Sequence, residues 1–193
     1  MARDDARDAP AQRAKCQQQR CADHFTRIAS ATTLLPDVQR ESTTVFQPGV
    51  NEDLAATAIW GTQQVNLFRG AKYDGVFAMW YGKGPGVDRC GDVFKHANYA
   101  GTAKHGGVLL IAGDDHSARS SAVAHQSEHM FSACGIPVLA PAGIQDYLDL
   151  GLHGWAMSRY SGCWVAMKTT SDTVESSASV EIDPNRVVVR LPG

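Results

Sequence analysis

The sequence predicts an α/β domain built on a parallel sheet flanked by helices. Two observations carry that expectation. From about Val45 onward, short apolar runs alternate with longer segments of helical period, and glycine-rich breaks separate them. The apolar runs are also continuous rather than alternating, as strands covered on both faces require. The composition agrees: 193 residues, 44% hydrophobic and 20% charged, are ordinary globular proportions for one domain with a sizeable core.

Taken in order, residues 51–68 read as a helix. Asn51 is its N-cap, and Glu52 and Asp53 lie in the first turn, where negative charge is favoured. Leu54, Ala58, Gly61, Val65 and Phe68 fall on one face, which is expected to point inward. Residues 75–81 form a short apolar run bounded by turn signals, hence a buried strand. Residues 88–101 read as a helix with Val93, Ala97 and Ala100 inward, and residues 108–112, Val-Leu-Leu-Ile-Ala, are the clearest strand. A helix over 125–134 stops at Gly135, a brief strand covers 137–140, and a helix over 144–159 places Ile144, Leu148, Leu152 and Trp155 on one face. Residues 163–168 complete the series as a strand. Residues 1–44 differ: rich in Arg, Asp, Gln and Ala, with charges of alternating sign and no helical or strand period, they read as a weakly ordered leader to a domain over 45–193.

The formal net charge of −2 gives no electrostatic reason to expect nucleic acid or an anionic membrane as partner. No apolar run reaches bilayer-spanning length, and the N-terminus lacks the apolar core of a secretory signal, so a cytoplasmic location is expected. The five cysteines (Cys16, Cys21, Cys90, Cys134 and Cys163) contain no C-x-x-C spacing and read as free thiols rather than a disulfide framework or cluster ligands.

In parallel α/β sheets, functional loops lie beyond the carboxyl ends of strands. That rule selects three segments. The first, Tyr81-Gly82-Lys83-Gly84-Pro85-Gly86-Val87-Asp88-Arg89, follows a strand, and its alternating glycines let a backbone or ligand approach closely. It departs from the dinucleotide fingerprint and from the phosphate-loop pattern, and a tight turn alone also accounts for it. The second, Gly113-Asp114-Asp115-His116-Ser117-Ala118-Arg119-Ser120-Ser121, concentrates carboxylates, imidazole, guanidinium and hydroxyls behind a strand. A capped turn accounts for the same residues, since Asp and Ser satisfy backbone donors. The third is Glu52, which by itself is ordinary compensation of a helix dipole. Outside that rule, His125-Gln126-Ser127-Glu128-His129 fits the H-x-x-E-H pattern, which on a helix sets two imidazoles on one face as zinc ligands. Glu175 or Glu181 would have to supply the third ligand. Cys163 opens a strand and reads as core.

Taken together, the run from Phe46 to Phe68, the run from Tyr73 to Asn98 containing MWYGKGPGVDR, GDDHSARSSAVAHQSEH and GLHGWAMSRYSGCWVAMK resemble the long indolepyruvate ferredoxin oxidoreductases, members of the thiamine-diphosphate-dependent 2-oxoacid:ferredoxin oxidoreductases. The resemblance extends over about Phe46 to Pro192 and corresponds to the module that binds the cofactor's aminopyrimidine ring. It implies that Glu52 is the catalytic carboxylate that hydrogen-bonds this ring. It implies further that Gly82, Lys83, Gly84, Gly86, Arg89, Asp114, Asp115 and His116 line the cofactor or the neighbouring module. The implied reaction is oxidative decarboxylation of an aryl 2-oxoacid to an acyl-coenzyme A, with ferredoxin as acceptor.

Two departures from the family qualify that implication. A strand and a G-x-R-G-S-P loop ahead of the glutamate are missing from residues 1–44, which leaves the sheet without its first strand. The diphosphate-binding module, with the Mg2+ and iron–sulfur motifs expected elsewhere in such enzymes, is also missing. The chain therefore reads as a truncated fragment, inactive alone, that works with a diphosphate-binding module or second subunit in a dimer. A zinc-dependent hydrolase through His125, Glu128 and His129, or a non-catalytic remnant, are the alternatives.

Overall fold

The computed structural model describes residues 47–191 except residues 120 and 184, so the expected leader over 1–44 and any strand ahead of Glu52 lie outside the described residues. Four strands, β1 (Phe77–Lys83), β2 (Gly107–Asp114), β3 (Val138–Leu139) and β4 (Val165–Thr170), form one all-parallel sheet in the order β1-β2-β4-β3. Ala78 stands opposite Val108, and Leu110 opposite Ala166, so the longest pairings run through the apolar segments the sequence marks as strands. β2 is buried along almost its whole length because helices cover both faces. The fold is α/β, as expected.

One face carries α1 (Glu52–Gln63), α2 (Gly84–Arg89), α3 (Gly91–Ala100) and α4 (Glu128–Ala133). Its core joins Val108, Leu110 and Ala112 of β2, and Ala166 of β4, to Trp80, Val87, Val93, Phe94, Phe131 and Trp164. Phe94 is the hub, edge-on to Trp80 at 5.1 Å between ring centroids, 5.9 Å from Phe131 and 6.2 Å from Trp164. Such aromatic pairs contribute about 0.5–1.5 kcal/mol each beyond their buried area. The opposite face carries α5 (Ile144–Ser161), whose Gly154 lies so near the sheet that an added Cβ would stand 2.8 Å from Leu109 Cδ1. A short α6 (Ser171–Val174) follows β4.

Local chemistry fixes the helix ends. Asn51 Oδ1 accepts from the Leu54 N–H at 2.8 Å, satisfying one orphan donor of α1. α5 ends at Gly162, whose φ of +77° is a left-handed conformation that side-chain-bearing residues resist. Buried Gln63 spans the start of the β1–β2 ladder: its Oε1 accepts from Gly107 N at 3.2 Å and its Nε2 donates to Val76 O at 3.2 Å. Ser158 does the same for β2, accepting from Val108 N at 2.8 Å.

Several expectations need correction. The first helix stops at Gln63, with a separate 3-10 turn at Val65–Leu67, and its buried stripe is Ala56 and Gln63 with Ala55, Ile59 and Trp60 partly buried beside it. Leu54 and Phe68, expected inside, are 52% and 75% exposed. A small residue and a hydrogen-bonded amide occupy the inner stripe, so hydrophobicity alone chose the wrong side. The expected helix over 88–101 is two helices that meet at Cys90; Val93 and Ala97 are buried as expected, but Ala100 is exposed and Phe94 takes the core position. The fourth helix starts at Glu128, three residues after His125. The inner face of α5 is Tyr147, Gly151, Gly154 and Ser158, while Ile144, Leu148, Leu152 and Trp155 are only partly buried. Close approach to the sheet requires a small residue at Gly154, where an added Cβ would meet Leu109 and Leu139. No helix among the described residues is long and apolar enough to cross a membrane.

Candidate functional site

The carboxyl ends of β1, β2 and β4 hold most of the polar groups singled out in the sequence. At β1, the Trp80 indole N–H donates to the Glu52 carbonyl at 3.0 Å and ties the start of α1 to the strand. The Glu52 side chain then lies over the first turn of α2. A Cβ at Gly86 would stand 2.6 Å from Glu52 Cγ, so only glycine leaves room for this carboxylate. Arg89 Nη1 donates to Glu52 Oε2 at 3.1 Å, on side chains 58% and 33% exposed. Among the described residues, Oε1 accepts no hydrogen bond. Glu52 therefore presents one tethered oxygen and, among the described residues, one without a donor at the rim.

The glycine segment is the end of a strand and a helix rather than a loop. Gly82 and Lys83 finish β1, Lys83 exposed in extended conformation, and Gly84 opens α2. Gly82 packs on the Trp80 ring, where an added Cβ would meet Cη2 at 2.6 Å. Gly84 packs on His125, where an added Cβ would stand 2.3 Å from the histidine Cβ. The two glycines of Gly84-Pro85-Gly86 thus seat two different side chains, His125 and Glu52, on one turn.

At β2, Asp114 is buried and its carboxylate accepts three bonds from Ser127: the backbone N–H at 2.9 and 3.1 Å and the hydroxyl at 2.9 Å. Burial, opposed by these Ser127 bonds and reinforced by the nearby Glu128 carboxylate, holds the Asp114 carboxyl above its ordinary range. Asp115, also buried, accepts at Oδ1 from Arg119 N at 3.0 Å, and its carbonyl accepts from Ala118 N and His125 N. Both aspartates bind the connection between β2 and α4 back onto the strand. Ala118 takes a left-handed φ of +54°, unusual for a residue with a side chain. His116 is exposed, with Nε2 at 3.9 Å from Asp114 Oδ2. Exposed Arg119 pairs with Asp172 at 3.3 Å, and Ser120 lies outside the described residues.

The H-x-x-E-H residues do not converge. His125 lies ahead of α4, its Nδ1 3.0 Å from the Val123 carbonyl and its Nε2 3.4 Å from Asp88 Oδ2. His129 is exposed on the helix, and Glu181 pairs with Arg186 at 2.7 Å. Glu128 turns to β4, where its Oε1 accepts from Lys168 Nζ at 2.9 Å and from Gln126 Nε2 at 3.0 Å. Burial resists ionisation of Glu128, but the bonds from Lys168 and Gln126 outweigh it and bring the carboxyl down to about 2. The expected shared face for two zinc-binding imidazoles is lost because α4 begins too late.

Lys168 was not among the sequence candidates, and Asp88 was one only as part of the glycine segment. A usable signal existed for Lys168, a lone charge closing the apolar run Val165–Ala166–Met167; Asp88 has none beyond its place in the glycine segment. Cys90 and Cys134 are free and buried as expected, but Cys163, expected to open a strand in the core, is only partly buried in the bend ahead of β4, which begins at Val165. Burial, with the Asp53 and Glu52 carboxylates, pushes Cys90 up to about 12.

With that geometry in place, sequence comparison adds one relationship. The chain is similar to the indolepyruvate oxidoreductase subunit IorA of Pyrococcus horikoshii and to that of Pyrococcus abyssi, each 29% identical over 101 residues, which is 52% of this chain and 15% of the relative. It is also similar to the indolepyruvate oxidoreductase subunit IorA of Methanothermobacter thermautotrophicus, 24% identical over 149 residues, or 77% of this chain and 22% of the relative. The similarity is to oxidoreductase subunits. The chain spans about a fifth or less of the length of these curated relatives. No protein-family model and no solved structure matches it.

Proposed function

We propose that this chain is the aminopyrimidine-binding part of a thiamine-diphosphate-dependent oxidoreductase that decarboxylates an aryl 2-oxoacid such as indolepyruvate, with ferredoxin as electron acceptor. The observation that carries the reading is Glu52 itself, a carboxylate at the carboxyl rim of a parallel sheet, floored by Gly86, tethered through Oε2 to Arg89 and open at Oε1. An aminopyrimidine ring needs one acceptor oxygen held at fixed orientation, and a carboxylate tethered on its other oxygen fits that need. When bound, thiamine diphosphate serves as the electron sink for decarboxylation. Glu52 Oε1 would accept a hydrogen bond from a ring nitrogen and hold the proton there, which favours the imino tautomer. Acid–base assistance of this kind contributes about 10²–10⁴-fold.

The remaining residues take supporting roles. Arg89 orients Glu52; Gly86 makes room for the Glu52 side chain, and Gly82 and Gly84 make room for Trp80 and His125 beside it; Lys83 ends the adjoining strand, and exposed His116 is able to meet a carboxylate or a partner module. Asp114 and Asp115 hold the loop that carries His116. The diphosphate, its Mg2+ and the iron–sulfur clusters would be held by a second module or subunit, and a cytoplasmic dimeric assembly follows from the same reading. The exposed apolar side chains Leu54, Leu67 and Phe68, on and just after the helix that Glu52 opens, support a covering module on that side.

The test uses a tagged chain purified with its natural partners from its own cells. The complex is expected to contain thiamine diphosphate by thiochrome fluorescence and to reduce a viologen dye when given an aryl 2-oxoacid and coenzyme A. E52Q should lower turnover by about 10²–10⁴-fold while leaving the assembly intact. A complex without the cofactor, or E52Q with wild-type turnover, overturns the reading.

A further inference from the structure

We propose that Asp114, His116 and Glu128 form a binding site for one divalent transition-metal cation, a ligand set that does not include Glu52 and that rests on its own geometry rather than on the thiamine reading. One donor atom from each of the three residues lies within 4.8 Å of the others. Donors about 2.1 Å from a common ion stand roughly 3–4 Å apart, so a small rotation closes the set. The residue able to make it is His116, whose side chain is exposed and whose Nε2 already stands 3.9 Å from Asp114 Oδ2. The two carboxylates approach from fixed positions, Asp114 at the end of β2 and Glu128 at the start of α4.

A second observation points to a missing positive group. Glu128 Oε2 is fully buried and accepts no hydrogen bond among the described residues, although Lys168 and Gln126 both reach Oε1. A buried, ionised carboxylate oxygen without a donor is costly, and such atoms in native folds face a proton, a water or an ion. Lys168 neutralises one of the two carboxylates and leaves the second uncompensated when both are ionised. The Asp114 side chain is entirely buried, and its Ser127 bonds leave lone pairs on both oxygens. Two carboxylates with one imidazole suit Mn2+ or Zn2+ better than Ca2+, because imidazole is a poor partner for the harder ion. None of the three residues is shared with the H-x-x-E-H reading except Glu128, and the site draws on a different histidine.

The experiment is titration of the full chain, stripped with a chelator, by MnCl2, with free Mn2+ followed by electron paramagnetic resonance and competition by ZnCl2. One Mn2+ per chain is expected to bind, with zinc displacing it. H116A and E128Q should each weaken binding by at least about tenfold, and D92N, at an exposed acidic site elsewhere, should leave it unchanged. Circular dichroism confirms that each variant is folded; because His116 is exposed, H116A carries the test if E128Q unfolds. No Mn2+ uptake by folded wild-type chain at millimolar concentration overturns the proposal, and leaves a proton shared between Asp114 and Glu128 as the occupant. Uptake unaffected by H116A overturns it equally, as adventitious surface binding.

Discussion

Replacing Lys168 with methionine tests how the carboxyl rim is held. The ammonium stands 2.9 Å from Glu128 Oε1, on side chains 18% and 27% exposed. Burial opposes ionisation of the Glu128 carboxyl, yet the bonds from Lys168 and Gln126 bring it from 4.5 to about 2. A difference of that size corresponds to about 3 kcal/mol if the pair were wholly shielded, and partial exposure reduces it to about 1–2 kcal/mol. Because the folded value lies below the unfolded one, this stabilisation is complete above about pH 4.5 and is lost as pH falls through about 2. In K168M the lysine's hydrogen bond and charge are lost while burial still opposes ionisation, so the variant suffers most at neutral pH, where the wild-type carboxyl is ionised. Thermal unfolding followed by circular dichroism in chelator-containing buffer should show a Tm deficit of about 2–8 °C at pH 7. The deficit should shrink toward pH 3.5. Equal melting temperatures at pH 7, or a deficit that widens in acid, would refute the reasoning.

F94A empties the centre of the aromatic core and should cost about 3–5 kcal/mol, read as a large fall in the denaturant midpoint. G84A forces a methyl against His125 Cβ and should cost about 1–3 kcal/mol; the double variant G84A/H125G, which removes that Cβ, should recover most of the loss in the same melt. R89A removes an exposed pair and should change stability by less than about 1 kcal/mol, and on the proposed function it should lower the turnover of the assembled complex because Glu52 loses its tether. Cys90 and Cys134 should resist iodoacetamide at pH 8 in the native chain and react fully in denaturant, as mass spectrometry of tryptic peptides will read.

The strands were legible because burial on both faces writes a continuous apolar run, and the run Val108–Ala112 falls inside β2 as expected. Helix faces were not. In α1 and α5 the buried residues include Ala56, Gln63, Gly154 and Ser158, which contribute close approach at Gly154 and hydrogen bonds to strand backbones from Gln63 and Ser158. A reading that ranks residues by hydrophobicity assigns such positions to the outside and turns the helix away from its true contact. The exposed Leu54 and Phe68 follow from that same inversion.

The site divides along a similar line. Alternating glycines announced that something must pass close to residues 82–86, and the structure supplies the objects: the Trp80 ring at Gly82, His125 at Gly84 and Glu52 at Gly86. What spacing could not reveal is which polar groups are spent on the fold. Asp114 and Asp115 have the same chemistry as Glu52, but Asp114 already holds the Ser127 N–H and hydroxyl and Asp115 Oδ1 the Arg119 N–H, whereas Glu52 Oε1 accepts from no described residue. Local sequence cannot distinguish these cases, because the donors lie four to thirteen residues away across a loop whose path the sequence leaves open. The H-x-x-E-H pattern fails for the same reason: a helix that starts at Glu128 sends the two histidines apart and leaves the glutamate to a lysine forty residues on. A polar residue at a strand's carboxyl end is therefore a candidate for chemistry only to the extent that its hydrogen-bonding capacity outlasts the demands of its own loop. By that criterion Glu52 Oε1 and Glu128 Oε2 stand out at this rim, since among the described residues neither oxygen has a donor.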